Sequence, residues 1–244
     1  MNRSIRKAFE VLSFITENPR RMSLAEMSAH LGMNKTTLYR FLSTLEDMDI
    51  LNRKDDRYIP GIKLFELGSK VPIKKLLVDR VHPILIRLTA EVNETVNLGE
   101  LHNNQVLYLD KTESQRRMQI HTSVGSHTAL HATALGKSIL SILPESLRET
   151  VINGLHFEKR TNHTITDPRE LRTHIEKAWQ DGYSTDCEEF EEGLHCVAVP
   201  LLLEELNFYG AVSCSGPTFR FTPQRVVELA GKLKRTVEEI RALF

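Results

Sequence analysis

Cysteine is scarce in this chain of 244 residues. Cys187, Cys196 and Cys214 form neither an even set nor a CxxC pair, which excludes a disulfide scaffold and predicts free thiols in a reducing, cytoplasmic compartment. Long apolar runs are absent too. No stretch approaches the roughly 20 uninterrupted apolar residues that span a bilayer, and the opening MNRSIRKAFEVL lacks a long apolar run ending in a small-residue cleavage site, so neither a membrane partner nor a leader is expected. Internal repeats and low-complexity tracts are missing, which removes solenoids and fibrous folds. Net charge is also lacking, yet 41% hydrophobic and 26% charged residues exclude intrinsic disorder.

The zero net charge conceals an asymmetry. Residues 1–78 hold 14 Lys plus Arg against 9 Asp plus Glu, or +5, and residues 79–244 hold 18 against 23, or −5. A basic head on an acidic body predicts that the head alone meets a polyanion. The length fits two domains.

In the head, Ile5, Ala8, Phe9, Leu12 and Ile15 fall at helical spacing until Asn18-Pro19. Ser23 with Glu26 forms a capping-box pattern at the start of a short second helix, which Gly32 ends. Asn34 caps a third helix whose Leu38, Phe41, Leu42 and Leu45 make a buried stripe, leaving Lys35, Thr36, Tyr39, Arg40 and Ser43 on the opposite face. Ile50–Arg53, a turn at Lys54-Asp55-Asp56, and Arg57–Ile59 then read as a hairpin placed like a wing. The pattern predicts a winged helix-turn-helix over 1–61. Lys35, Thr36, Tyr39, Arg40 and Ser43 are candidates for major-groove contact, and Arg57 for a phosphate. A linker helix over 62–78 follows, kinked or divided at Pro72.

From 79 to 244 helical and strand periods alternate, which predicts a mixed sheet with helices. Helices are expected over Val81–Asn93, Ala132–Ile142, Pro144–Ile152, Pro168–Asp181 and from Pro223 onward. Strands are expected over Thr95–Leu101, Val106–Lys111, Met118–Thr122, Tyr183–Asp186, Cys196–Leu203 and Phe208–Ser215. The fold class is therefore α+β.

Four groups in the body invite chemistry. His195-Cys196 with Asp186 has the composition of a Cys-His-Asp nucleophile, although neighbours on a strand point to opposite faces. His127 and His131 have the i,i+4 spacing of a metal pair, but Gly125 and Ser126 predict a loop there, and no metal or cofactor is expected. Gly136-Lys137-Ser138 resembles the end of a phosphate loop without its earlier glycine. Glu188, Glu189, Glu191 and Glu192 read as a solvated loop.

MNKTTLYRFLSTLE, YIPGIKLFELG, ETVNLGEL, LHATALGKSIL, NHTIT, GYSTDCEEFEEGLHCVAVP and AVSCSGP together resemble the IclR family of bacterial transcriptional regulators, from about Ser4 to the C-terminus. The resemblance implies a winged helix-turn-helix head and a GAF-like effector-binding body, assembled as a dimer or a dimer of dimers on a pseudo-palindromic DNA operator. It also implies a pocket to which Ala134, Leu135, Asp186, Leu194, Cys196, Ser213 and Ser215 contribute. Many relatives have Gly-Ala where this chain has Ala134-Leu135, which implies a pocket of different volume.

The residues fit such a pocket independently. The first turn of a helix at Ala134 and Leu135 favours a carboxylate, Ser213 and Ser215 alternate to one strand face, and Asp186 would accept from ligand hydroxyls. A repressor controlled by a small carboxylated metabolite is expected, with a sugar acid of the 2-keto-3-deoxygluconate kind as the extension. The alternatives are an enzyme acting on a small carboxylic acid in that pocket and a redox- or metal-sensing regulator on the same scaffold; for Asp186 itself the alternative is a helix or turn cap near Gly182.

Overall fold

The computed structural model describes residues 2–18, 22–54, 57–116 and 122–244. The chain divides into two compact units, residues 1–75 and 76–244, so the division falls inside the stretch expected to link them.

In the first unit α1 (Arg3–Glu17), α2 (Leu24–Leu31) and α3 (Lys35–Asp47) precede a hairpin of β1 (Leu51–Lys54) and β2 (Arg57–Pro60). Pro19 and the hairpin tip Asp55-Asp56 lie outside the described residues. The core joins Val11 and Ile15 of α1 to Met27, Leu38, Leu42, Leu45, Leu51 and Tyr58. Ile5 and Phe9 share the helical spacing but stand exposed, because α1 turns the Val11 side inward. Gly61 is required where β2 ends: a Cβ there would lie 2.2 Å from the Asp49 carbonyl oxygen.

The linker helix expected over 62–78 is two helices, α4 (Ile62–Gly68) and α5 (Pro72–Val92). Pro72 restarts the helix at a position where its missing N–H costs nothing. The second helix then runs on without a break through the segment expected to begin at Val81, carrying Pro83 inside it.

The second unit is built on one antiparallel sheet, in the order β5 (His127–Ala129), β4 (Gln105–Thr112), β3 (Thr95–His102), β8 (Phe208–Pro217), β7 (Leu194–Leu203) and β6 (Ser184–Cys187). The expected mixture of parallel and antiparallel strands is corrected here. Every pairing among the described residues is antiparallel. The helices α6 (Ala134–Ile142), α7 (Glu145–Asn153) and α8 (Pro168–Asp181) form one insertion between opposite edges of the sheet, so they connect no neighbouring strands. β5 lies in a segment read as loop, and the strand expected over Met118–Thr122 falls, up to residue 121, outside the described residues.

Two apolar layers sandwich the sheet. Val96, Leu98, Val197, Val199, Val212 and Cys214 face α5 and α9 (Pro223–Arg241). Cys196, Ala198 and Ala211 face the α6–α8 insertion with Ala134, Leu135, Ile139 and Ile175. Strand alternation thus delivers every second residue of β3, β7 and β8 to the α6 side.

Candidate functional site

In the head, the helices are locked by caps. Ser23 donates to the Glu26 carboxylate from its N–H at 2.6 Å and its hydroxyl at 2.7 Å, and Glu26 N–H returns a bond to Ser23 Oγ at 3.4 Å; the two bonds from Ser23 hold the Glu26 carboxyl below its usual range. Gly32 takes a left-handed φ of 59° and closes α2. Asn34 Oδ1 accepts from Thr37 N–H at 2.8 Å and starts α3.

With Leu38, Leu42 and Leu45 facing inward, α3 exposes Lys35, Thr36, Tyr39 and Arg40, while Ser43 is half-buried. Phe41, expected in the buried stripe, is half-buried as well. Arg57 stands exposed at the start of β2, close enough to Glu26 to bear on its charge, and Arg53 lies 5.9 Å over the Tyr58 ring. The geometry is a capped helix presenting two cations, a hydroxyl and a phenol along one solvent face, with cationic side chains on a hairpin after it.

In the body, the strand register aligns the expected pocket residues. Asp186 pairs with Cys196, Cys196 with Ser215 and Ser215 with Thr95, making one row across four strands. The next row runs Ser184, Ala198, Ser213, Asn97. Leu194 has the same parity as Cys196 and joins the α6-side core, with Ala134 and Leu135 at the start of α6 buried in it. Thr133 caps that helix, its hydroxyl accepting from Gly136 N–H at 3.1 Å, and Lys137 N–H goes to the Thr133 carbonyl. The N–H groups of Ala134 and Leu135 thus occupy the first turn without an intrahelical acceptor.

This face is polar for an interior. Thr95, Asn97, Asp186, Ser213 and Ser215 are all buried, as is Tyr108 of β4, which lies near Asp186 and Cys196. Thr122 Oγ1 donates to Asn97 Oδ1 at 3.0 Å. Among the described residues, Asp186 Oδ2 and Ser213 Oγ are buried with no hydrogen-bond partner, which costs stability unless another group completes them. Asp186 Oδ1, by contrast, accepts from Glu189 N–H at 2.8 Å, so the side chain also caps its own turn. Burial, then the neighbouring Glu189 charge, pushes the Asp186 carboxyl up to about 7 against the opposing pull of Lys137.

The solvated-loop reading of the glutamates fails at Glu189. Its carboxylate is buried and receives the Lys137 ammonium at 2.5 and 2.6 Å, while Thr161 and Thr164 hydroxyls hold the Glu188 and Glu189 carbonyls at 2.6 Å each. The NHTIT stretch is therefore what seats this turn. Lys137 is a buried ion-pair partner and not the lysine of a phosphate loop. Sequence reasoning missed Lys137, Glu189, Asn97, Thr95 and Tyr108. A lone lysine inside the apolar run LGKSIL was the one available signal, because a buried ammonium requires a partner.

The nucleophile arrangement does not assemble. His195 lies on the other face, its ring 5.3 Å from Phe221, and burial followed by the Asp186 charge holds the Cys196 thiol well above its ordinary value, the reverse of thiolate activation. His131 is buried with Nε2 3.1 Å from the Glu158 carbonyl, whereas His127 is exposed on β5 near His102. Among the described residues no three His, Cys, Asp or Glu gather as metal ligands, and no helix is long and apolar enough to cross a membrane.

A helix-turn-helix whose second helix exposes cationic side chains, joined in one chain to a sheet domain, is the architecture of a DNA-binding regulator. Comparison with known proteins agrees. The IclR helix-turn-helix domain matches residues 4–55 and the C-terminal domain of bacterial IclR transcriptional regulators matches residues 73–242. The chain belongs to the IclR family of transcriptional regulators. It is 30% identical over 239 residues to the HTH-type transcriptional regulator KdgR of Dickeya chrysanthemi, covering 97% of this chain and 78% of that one. The crystal structure of Thermotoga maritima IclR superposes with a TM-score of 0.79 at 34% identity, covering 98% of each chain. An IclR homologue from Microbacterium hydrocarbonoxydans, crystallised with 4-hydroxybenzoate, shares the fold with a TM-score of 0.83 at 21% identity, covering 99% of this chain and 100% of that one.

Proposed function

We propose that this regulator is a cytoplasmic, non-catalytic repressor that releases its operator when a small hydroxylated monocarboxylate, such as a sugar acid of the 2-keto-3-deoxygluconate kind, occupies the α6 side of the sheet. Residues 1–61 serve as the DNA-binding head, 62–78 as linker and 79–244 as the effector-binding body. Lys35, Thr36, Tyr39, Arg40 and Ser43 meet the major groove and Arg57 a phosphate. Ala134 and Leu135 hold the ligand carboxylate, and Asp186, Leu194, Cys196, Ser213 and Ser215 surround the rest.

The observation that carries this reading is the buried, partnerless pair of polar atoms, Asp186 Oδ2 and Ser213 Oγ, on the face that also receives the first turn of α6. A helix N-terminus attracts a carboxylate, and a hydroxylated tail would complete both orphaned groups. A ligand shifts a regulator only by binding one of its states more tightly, and a homodimer or dimer of dimers on two half-sites supplies such states.

The test is a thermal-shift screen of carboxylic acids on the full chain, followed by operator binding with and without the best hit. A stabilising acid that weakens operator binding supports the reading. An acid that binds and leaves operator affinity unchanged overturns the control mechanism.

A further inference from the structure

Three acidic or basic side chains meet beneath the first turns of α6, and their charges do not balance. Lys137 and Glu189 are matched: the ammonium lies against both carboxylate oxygens, and the pair is almost wholly buried. Asp186 is the third member, 1% exposed, with Oδ1 on the Glu189 N–H and Oδ2 without a partner. Among the described residues, the single cation of the cluster is already paired. An ionised Asp186 would leave one buried negative charge in excess, and a bound carboxylate would add a second.

Among the described residues, the other titratable groups near Asp186 and its two partners offer no replacement cation. From β4, Tyr108 has its phenol pushed upward, chiefly by burial. From β7, Cys196 has its thiol pushed upward by burial and by Asp186 itself, and Cys187 on the same strand as Asp186 is raised by burial and by Glu188. From α8, His174 lies near Lys137 and Glu189, and burial lowers its value toward the neutral form. Each of these is neutral near pH 7, so the balance rests on Asp186.

We propose that the effector binds together with one proton, held between Asp186 Oδ2 and a ligand oxygen, so that Asp186 acts as a hydrogen-bond donor and selects hydroxylated monocarboxylates over dicarboxylates. The inference rests on the reading that this face binds a small carboxylate. The proton comes from solvent, and no covalent bond changes. Oδ2 is the atom free to carry it, because Oδ1 must remain an acceptor for the Glu189 N–H. A neutral acid at this position already lies close to its midpoint, about 7 in the ligand-free protein, so a second anion tips it to the protonated form. Affinity is therefore greatest below that midpoint and falls as pH rises through it. A dicarboxylate places its second charge against a site already short of cations, and binds more weakly.

The experiment uses the full chain with D-gluconate, D-galacturonate, 4-hydroxybenzoate and the dicarboxylate D-glucarate as probes. Calorimetry is run in phosphate and in Tris, whose ionisation enthalpies differ. The wild type should show a buffer-dependent binding enthalpy for the monocarboxylate that binds best. Its Kd should weaken by close to tenfold per pH unit above about pH 8. D186N keeps the Oδ1 acceptor and a fixed N–H donor where Oδ2 stands, so it should bind the same probe with no pH dependence. A buffer-independent enthalpy and a flat Kd in the wild type overturn the proton coupling while leaving the site reading in place. D186N and D186A variants that bind the probe as tightly as a pH-linked wild type, with the same pH dependence, overturn the site reading.

One arm needs no ligand. The raised Asp186 value means that wild-type stability is highest at low pH and declines as pH rises from about 4 to about 7, relative to D186N, which does not titrate there. Melting temperatures of the two proteins should diverge across that window and run parallel above it. Curves parallel throughout show that Asp186 has no raised value, and overturn the proposal even if no probe binds.

Discussion

Lys137 and Glu189, 52 positions apart in sequence, form a closed ion pair inside the protein, with Nζ at 2.5 and 2.6 Å from the two carboxylate oxygens and side-chain exposures of 1% and 9%. The pair ties the second turn of α6 to the β6–β7 turn, and through the Glu189 N–H it sets the orientation of Asp186. Removing one partner leaves an uncompensated buried charge. Lys137→Met should cost about 3–5 kcal/mol by urea denaturation, and Lys137→Met with Glu189→Leu should recover most of it. A single variant as stable as the wild type would show that the pair opens to water.

The exposed face of α3 yields a prediction about readout. Arg40→Ala should weaken operator binding by about 1–3 kcal/mol and narrow the gap between operator and random DNA, as expected for a guanidinium at a guanine edge. Arg57→Ala should weaken both targets alike and flatten the salt dependence, as expected for a phosphate contact. Competition binding at several salt concentrations separates the two, and an Arg40→Ala protein with undiminished operator preference excludes Arg40 from base contact.

Asp186 both caps a turn and carries an unsatisfied oxygen, so its loss has two separable consequences. Asp186→Ala should abolish the effect of a bound metabolite on operator affinity and leave ligand-free operator affinity nearly intact, because the residue contributes to coupling and not to the DNA interface. A lowered melting temperature with the ligand response intact would assign it to the turn alone.

Gly136 sits where the first turn of α6 crosses the backbone of Leu130. A Cβ there would lie 2.2 Å from the Leu130 carbonyl oxygen, so Gly136→Ala must displace either α6 or the segment after β5. The expected cost is about 1–3 kcal/mol, with ligand response lost and ligand-free operator binding retained in the protein that folds. Equal stability and response in the variant would mean that this contact relaxes freely.

Much of the head was legible because its determinants are local. Ser23 with Glu26, Gly32 and Asn34 each act within a few residues, and the spacing of Leu38, Leu42 and Leu45 determines which side of α3 is exposed. The hairpin is equally local. Asp167-Pro168 and Gly182 mark the ends of α8 for the same reason.

The body was less legible. The mixed sheet expected from alternating periods became antiparallel throughout, since period alone reveals a strand but not its neighbours. β5 has three residues, too few to register a pattern. The continuity of α5 through Pro83 also ran against a local rule, because packing of Leu85, Leu88 and Val92 on the sheet outweighs the lost hydrogen bond.

The amino-acid sequence by itself determined the two-part organisation, the helix-turn-helix with its wing, the candidate groove-facing residues, and the alternation that sends Ser213 and Ser215 to one face. Those properties follow from charge, capping and periodicity, which act over a few residues. The tertiary structure decided that Asp186, Cys196, Ser215 and Thr95 share one row, that Glu189 is buried against Lys137, and that Asp186 is left with one oxygen unsatisfied. Strand register and desolvation are set by contacts between segments far apart in the chain, and no local pattern encodes how much water a carboxylate loses when those segments close around it.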